Sequence, residues 1–176
     1  MLLFGILEYG LLFRDNLTTN NAAQEAARAA SVGGRALEAD YLTLQTLEHG
    51  VAAMGLDKVN YVVVFNASTV GYELPDSHLC HTQSVADVCN RYLPADFEKE
   101  LVDESDVTTD FFRCVSAPAN IDGAWCPGDR RAGLGDDSDL VGVYVQTTHD
   151  YLTGFFGETQ ILDATTVIRV EPDEDT

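Results

Sequence analysis

The feature that most constrains this chain is an apolar run at its start that contains a single carboxylate. Residues 1–13 read MLLFGILEYGLLF, and the run ends at Arg14 and Asp15. As a helix this run would be about 20 Å long, whereas the hydrocarbon core of a bilayer is about 30 Å thick. The run therefore predicts a helix that is too short to cross a membrane alone and too apolar to stand free in water.

Glu8 is the residue of this run with the strongest physical constraint. An ionisable group inside an apolar helix is costly unless it has a partner. Two arrangements satisfy it: Glu8 faces a cation or amide of a neighbouring subunit, or it lies at the wet edge of the helix. We favour the first, because the flanking side chains leave the carboxylate little access to water. These flanking residues are Phe4, Leu7, Leu11 and Leu12.

Two helices are predicted over the first third of the chain. An alanine-rich segment of high helix propensity follows the apolar run, so one continuous helix is expected from about Leu2 to Val32. Gly33 and Gly34 interrupt it. A second helix then resumes over residues 35–55 with an apolar stripe at three-to-four spacing. The stripe consists of Leu37, Tyr41, Leu44, Leu47, Val51 and Met54.

From residue 59 the pattern changes to that of β-strands. The β-branched and aromatic run at 59–65 predicts a strand that is covered on both faces. Residues 140–151 and 161–171 alternate apolar and polar side chains, which predicts two half-buried antiparallel strands joined by a glycine-containing turn. In the long segment between them, short helices are expected at 84–93 and 94–103.

These elements predict an α+β, pilin-like architecture with two parts. Residues 1–56 form a long helical stem that is broken near Gly33 and Gly34. Residues 57–176 form a head with a small antiparallel β-sheet and a disulfide-stapled loop. A connection as long as the middle segment is unusual in a compact domain unless it is functional or tied down.

Four cysteines lie in the loop-rich middle of the chain: Cys80, Cys89, Cys114 and Cys126. An even number of cysteines at loop spacing indicates disulfides in an oxidising compartment. We favour the local pairing, in which the first cysteine joins the second and the third joins the fourth. The alternatives are reduced buried thiols and a zinc site that also uses His78 and His81.

The charge composition of the chain disfavours some classes of binding partner. The chain has 29 Asp and Glu against 10 Lys and Arg, a formal net charge of −19. This charge disfavours nucleic acid, because binding it requires basic groups that neutralise phosphates. No catalytic triad or phosphate-binding loop is recognisable, so a non-enzymatic protein without a cofactor is expected. The turn containing Asp136, Asp137 and Asp139 lacks the frame of a calcium loop and is expected to be an exposed acidic turn.

The first 30 residues resemble the TadE-like family of pilus-assembly proteins, pseudopilins of the tight-adherence system that are related to type IV pili. The resemblance rests on the step Glu8-Tyr9-Gly10 after an apolar stretch and on the segment NAAQEAAR at 21–28. Residues 140–172 are similar to a strand pair with L-T-x-x-F-G and R-x-E-P that is common in the family. The stretch WCPGDRR at 125–131 is similar to one in some members. The family's peptidase site and first glutamate are not among these residues, which leaves N-terminal processing open.

The resemblance implies a function through assembly. Stems of this kind pack side by side with copies of themselves or with other pilins in a helical bundle, and Glu8 would set their register. We expect a pilin-like structural subunit that is anchored in the inner membrane before assembly and lies in an extracellular, cell-surface pilus afterwards, where it serves adhesion. The predicted assembly interface consists of Phe4, Leu7, Glu8, Tyr9, Gly10, Leu11, Leu12 and Arg14.

A second hypothesis comes from another class of protein. The chain would be an exported, monomeric binding or adhesion module. Its stapled loop, with Trp125 and the acidic turn, would then recognise a ligand. Association of the full chain in the absence of detergent favours the pilin hypothesis, and a monomer favours the binding module.

Overall fold

The structure, a computed structural model, describes residues 2–99, 112, 114, 120–133, 137–154 and 156–172. Its helices and strands confirm the predicted α+β class. They are α1 (Leu2–Gly33), α2 (Ala39–Val51), β1 (Val59–Asn66), α3 (Ala67–Val70), β2 (Cys89–Tyr92), β3 (Leu140–Asp150) and β4 (Thr159–Arg169).

The long helix α1 ends at the predicted break. Gly34 follows it with φ +54°, a left-handed conformation that glycine adopts without steric cost. The second helix is shorter than predicted, because residues 35–38 form turns and α2 begins only at Ala39. Leu37, the first residue of the predicted stripe, is therefore exposed outside the helix, whereas Leu44 and Leu47 are buried within it.

The sheet has the strand order β2-β1-β3-β4, and every neighbouring pair is antiparallel. β1 is covered on both faces, as predicted: Val62 and Val64 belong to the cluster under the helices. Val63 and Phe65 belong to a second cluster on the opposite face. β3 and β4 pair along their whole length and form a long hairpin, and β4 is an edge strand among the described residues.

The helix predicted at 84–93 is wrong, because this segment contains the strand β2. β2 pairs with β1 in a register that places Cys89 opposite Phe65 and Tyr92 opposite Val62. Long-range pairing thus overrides the local helical pattern. The helix predicted at 94–103 is a short 3₁₀ turn, Pro94–Glu98, and the end of that prediction lies outside the described residues.

The second half of α1 is part of the core of the head. Alanines on one face of the helix are fully buried, and their small side chains let α1 approach both α2 and the sheet closely. They are Ala22, Ala23, Ala26, Ala27 and Ala30. At the end of α1, the Ser31 hydroxyl donates to the Arg169 carbonyl over 2.6 Å. The helices of residues 1–56 and the sheet therefore share one hydrophobic core.

Two disulfides tie down the middle of the chain. They join Cys80 to Cys89 and Cys114 to Cys126, the local pairing that we favour from the sequence. The first lies in the cluster on the face of the sheet opposite α1. Because it occupies both thiols of the alternative zinc site, that site lacks its sulfur ligands.

Candidate assembly surface

The first half of α1 carries an exposed row of apolar positions, which we call the front row. It consists of Leu3, Ile6, Gly10, Phe13 and Leu17. Its side chains are 82% exposed at Leu3, 64% at Ile6, 55% at Phe13 and 46% at Leu17. The spacing of three, four, three and four residues is that of the a and d positions of a coiled coil, which pack against another helix.

The apolar character of this helix face stops after the front row. Asn21, Gln24 and Arg28 follow on the same face, and all three are exposed. The opposite face of α1 is covered by the sheet and by α2. The exposed apolar strip is thus about 20 Å long at 1.5 Å per residue, and it lies beside polar helix surface.

Of the predicted interface residues, Gly10 belongs to the front row, and Leu7, Tyr9 and Arg14 flank it on the helix. Phe4, Leu7 and Tyr9 are half or more exposed. A Cβ placed on Gly10 would have no atom within 4 Å. Leu11 and Leu12 are half-buried. The guanidinium of Arg14, which is exposed, pairs with the adjacent Asp15 over 2.7 Å.

Sequence reasoning missed the four side chains of the front row itself: Leu3, Ile6, Phe13 and Leu17. A signal for them exists in the alternation of three- and four-residue steps. The signal is easily overlooked because the apolar run ends at Arg14 and Asp15, whereas the front row continues beyond them on one face of the helix. The exposed apolar surface is therefore defined by a face of the helix and not by the end of the apolar run.

The position of Glu8 corrects the prediction that it faces a neighbouring subunit. Its side chain is buried within the chain, and the loop between β3 and β4 surrounds its carboxylate. The backbone N–H groups of Leu152 and Thr153 donate to it over 3.1 and 2.6 Å, and the Thr153 hydroxyl donates over 2.6 Å. Because the chain itself satisfies this carboxylate, a partner is not needed to compensate its burial.

These hydrogen bonds change the acidity of Glu8. The hydroxyl of Thr153 is the main cause that lowers the pKa of Glu8 below its ordinary value, and the two backbone donors act in the same direction. Burial of the carboxylate acts in the opposite direction and raises its pKa. The carboxylate therefore remains ionised at neutral pH and fastens the β3–β4 loop to α1.

Two further polar contacts continue along the same face of α1. Asp15 accepts a hydrogen bond from Nδ1 of His149 over 2.7 Å, with both side chains buried. The hydroxyls of Thr19 and Thr147 lie 2.9 Å apart. With Glu8, these contacts hold the first half of α1 against the β3–β4 hairpin and leave the front row facing away from it.

The part of the chain that contains the front row and Glu8 matches a known family. Residues 1–28 match the family model described as TadE-like protein. The N-terminal segment of the chain is therefore similar to TadE-like proteins, and the match confirms the resemblance for that segment. No curated protein and no solved structure matches the chain.

The length and apolar character of the helices bear on whether one of them could span a membrane. Within the residues that the structure describes, no helix combines the length and the apolar character needed to span a bilayer.

The stapled loop is built differently from the recognition loop of the second hypothesis. Trp125 is only 4% exposed, and the guanidinium of Arg130 lies 4.4 Å from the centre of its ring. Arg130 forms a buried ion pair with Asp40 of α2. Asp40 also accepts hydrogen bonds from Asn90 and Tyr92 over 2.9 and 2.6 Å. Trp125 is therefore a core residue that anchors the loop, not an exposed recognition residue.

Part of the acidic turn is also hydrogen-bonded to the rest of the chain. Asp139 is buried and accepts hydrogen bonds from the backbone and guanidinium of Arg131. Asp137 is exposed, and Asp136 lies outside the described residues. In the described ranges, no three acidic, His or Cys side chains come together as a metal site.

Proposed function

We propose that this chain is a pilin-like structural subunit that assembles through the front row of α1 into or onto a Tad pilus. The observation that carries the proposal is the exposed, uncharged row with coiled-coil spacing inside the TadE-like segment. The partner is the equivalent helix of another copy or of a related pilin. The role is structural and involves no enzymatic step and no cofactor.

The energetics of burial support association through this row. Burying a Leu, Ile or Phe side chain contributes about 1.5 to 3 kcal/mol relative to leaving it in water. Soluble monomers rarely expose contiguous apolar patches of this kind, and such patches usually mark interaction sites. The formal charge of −19 makes copies repel one another elsewhere, so an uncharged strip is where they can approach.

The head would be carried by the assembled helices at a defined angle. Glu8, Asp15 and Thr19 tie α1 to the β3–β4 hairpin within one chain. This replaces the register role that the sequence suggests for Glu8. We place the subunit at the membrane before assembly and at the cell surface afterwards, in a pilus used for adhesion, by analogy with the family.

The test compares two single substitutions that change the charge equally. Ile6→Lys places an ammonium group in the front row, and Gln24→Lys places one on the exposed polar part of the same helix. In sedimentation velocity without detergent, the wild type and Gln24→Lys should associate with rising concentration. Ile6→Lys should remain monomeric, because a lysine at the contact would have to be desolvated without a partner.

Two results would count against assembly through the front row. The first is a wild-type chain that is monomeric at every concentration, which would instead support the exported binding module. The second is equal association of the wild type and Ile6→Lys. Circular dichroism of each variant establishes that the helices are intact.

A further inference from the structure

A second uncharged surface lies beside the front row, in a groove between α1 and the β3–β4 hairpin. Six residues line it: Tyr9, Leu12, Phe13, Asn16, Gln160 and Leu162. Four come from α1 and two from β4. Of these, Tyr9 is 70% exposed and Phe13 is 55% exposed, whereas Leu162 forms the buried floor.

The groove continues toward the β3–β4 loop as a small notch. Gly5, Tyr151 and Phe156 line this notch together with Tyr9 and Leu12 of the groove and with Glu8. Phe156 is 62% exposed, and its ring comes within 4.0 Å of a Cβ placed on Gly5. The carboxylate of Glu8 is not presented to an occupant, because the loop donors already engage both of its oxygens.

The chemistry of the groove matches that of the front row. None of the six lining residues is charged, in a chain with 29 acidic side chains. The front row is likewise uncharged. The row and the groove are therefore two adjacent surfaces on which copies of this acidic chain can meet without placing like charges against each other.

The arrangement of the two surfaces decides what kind of assembly they favour. Pairing of the front row with itself would give a closed dimer with two-fold symmetry. Pairing of the front row of one copy with the groove of the next is a head-to-tail contact, which gives an open helical filament unless the rotation closes into a ring. Phe13 belongs to both surfaces, so successive helices would lie side by side.

We propose that the groove is the docking site for the front row of a second copy of this chain. This inference rests on the proposed function, since it specifies which surface the front row contacts. Gln160, which lines the groove, then lies within the contact. Ile161, its neighbour on β4, alternates to the opposite face of the sheet and lies outside the contact.

The test uses lysine substitutions on each surface. Ile6→Lys blocks the front row and leaves the groove intact, whereas Gln160→Lys blocks the groove and leaves the front row intact. Each variant alone should self-associate roughly tenfold or more weakly than wild type, because an unpaired charge enters the contact. Ile161→Lys is the matched control on β4 and should associate like wild type. Thermal melts show whether each variant is folded.

Mixing the two variants separates the possible outcomes. Copies of Gln160→Lys should bind copies of Ile6→Lys through their remaining intact surfaces and form a 1:1 complex that does not grow. Association of Gln160→Lys at the wild-type level, or the absence of a complex in the mixture, would overturn the groove assignment. The proposed function fails separately, if Ile6→Lys associates like wild type.

Discussion

The carboxylate of Glu8 lies where three hydrogen-bond donors of the β3–β4 loop converge. Its partners Leu152 and Thr153 are 144 and 145 positions away in the chain. An apolar helix tolerates a carboxylate here because the loop supplies, within the same molecule, the donors that water would supply elsewhere. Glu8, which the sequence suggests as a contact with another subunit, thus holds α1 against the β3–β4 hairpin of its own chain.

Replacing Glu8 by Gln should remove a contribution to stability that depends on pH. The folded-state pKa of Glu8 lies below its ordinary value of 4.5, chiefly because the Thr153 hydroxyl donates to the ionised form. A carboxylate with a lowered pKa stabilises the fold above the unfolded-state pKa, and this contribution is lost as the pH falls through the folded-state pKa. The wild type should therefore be more stable than Glu8→Gln at neutral pH, and the difference should shrink below pH 4.5.

Denaturant unfolding followed by Trp125 fluorescence, over a series of pH values, measures this difference. Trp125 is the single tryptophan and is buried, so it reports the loss of the core. Glu25→Gln is the control, because Glu25 forms an exposed pair with Arg28, and such pairs contribute about 0 to 1 kcal/mol. A difference between wild type and Glu8→Gln that stays constant into the acid range would contradict the assigned role.

At the scale of elements, the contact of α1 with α2 depends on small residues. A Cβ placed on Gly50 of α2 would lie 2.9 Å from the Cβ of Ala22 and 3.0 Å from its Cα. These distances leave no room for a methyl group unless the two helices separate. Gly10 is the opposite case, since a Cβ there meets no atom within 4 Å.

Alanine at these two glycines should therefore have opposite effects on the unfolding free energy. Replacing a glycine in a helix by alanine gains up to about 1 kcal/mol from helix propensity. At Gly10 this gain should appear, and Gly10→Ala should stabilise the monomer. At Gly50 the overpacking should cost about 1 to 3 kcal/mol and outweigh the gain. Chemical denaturation at a concentration where the chain is monomeric tests both, and a stabilised Gly50→Ala would contradict the close packing.

The elements differ in how far the sequence predicts them, for physical reasons. α1 and the hairpin of β3 and β4 follow from local patterns: alanine content, the Gly33-Gly34 break and alternating side chains. β2 has only four residues, and its conformation depends on pairing with β1 and on the disulfide at Cys89. The front row follows from helical spacing once the helix is known. The groove does not, because α1 and β4 form it from opposite ends of the chain.

The whole molecule combines an uncharged strip with a strongly acidic remainder. The formal charge of −19 opposes the approach of two copies, while contact between front row and groove favours it. Salt weakens the first effect, because the Debye length falls from about 10 Å at 0.1 M to about 3 Å at 1 M ionic strength. Salt does not weaken apolar burial in the same way.

Association of the wild-type chain should therefore strengthen as the salt concentration rises from about 0.1 M to about 1 M, since screening then removes the repulsion between copies. Sedimentation velocity at a fixed protein concentration measures the change, and Ile6→Lys should remain largely monomeric throughout. The opposite trend would mean that ion pairs, such as contacts of the exposed Arg14 with acidic groups of a neighbour, hold the copies together. In that case the front row would not be the surface that drives assembly.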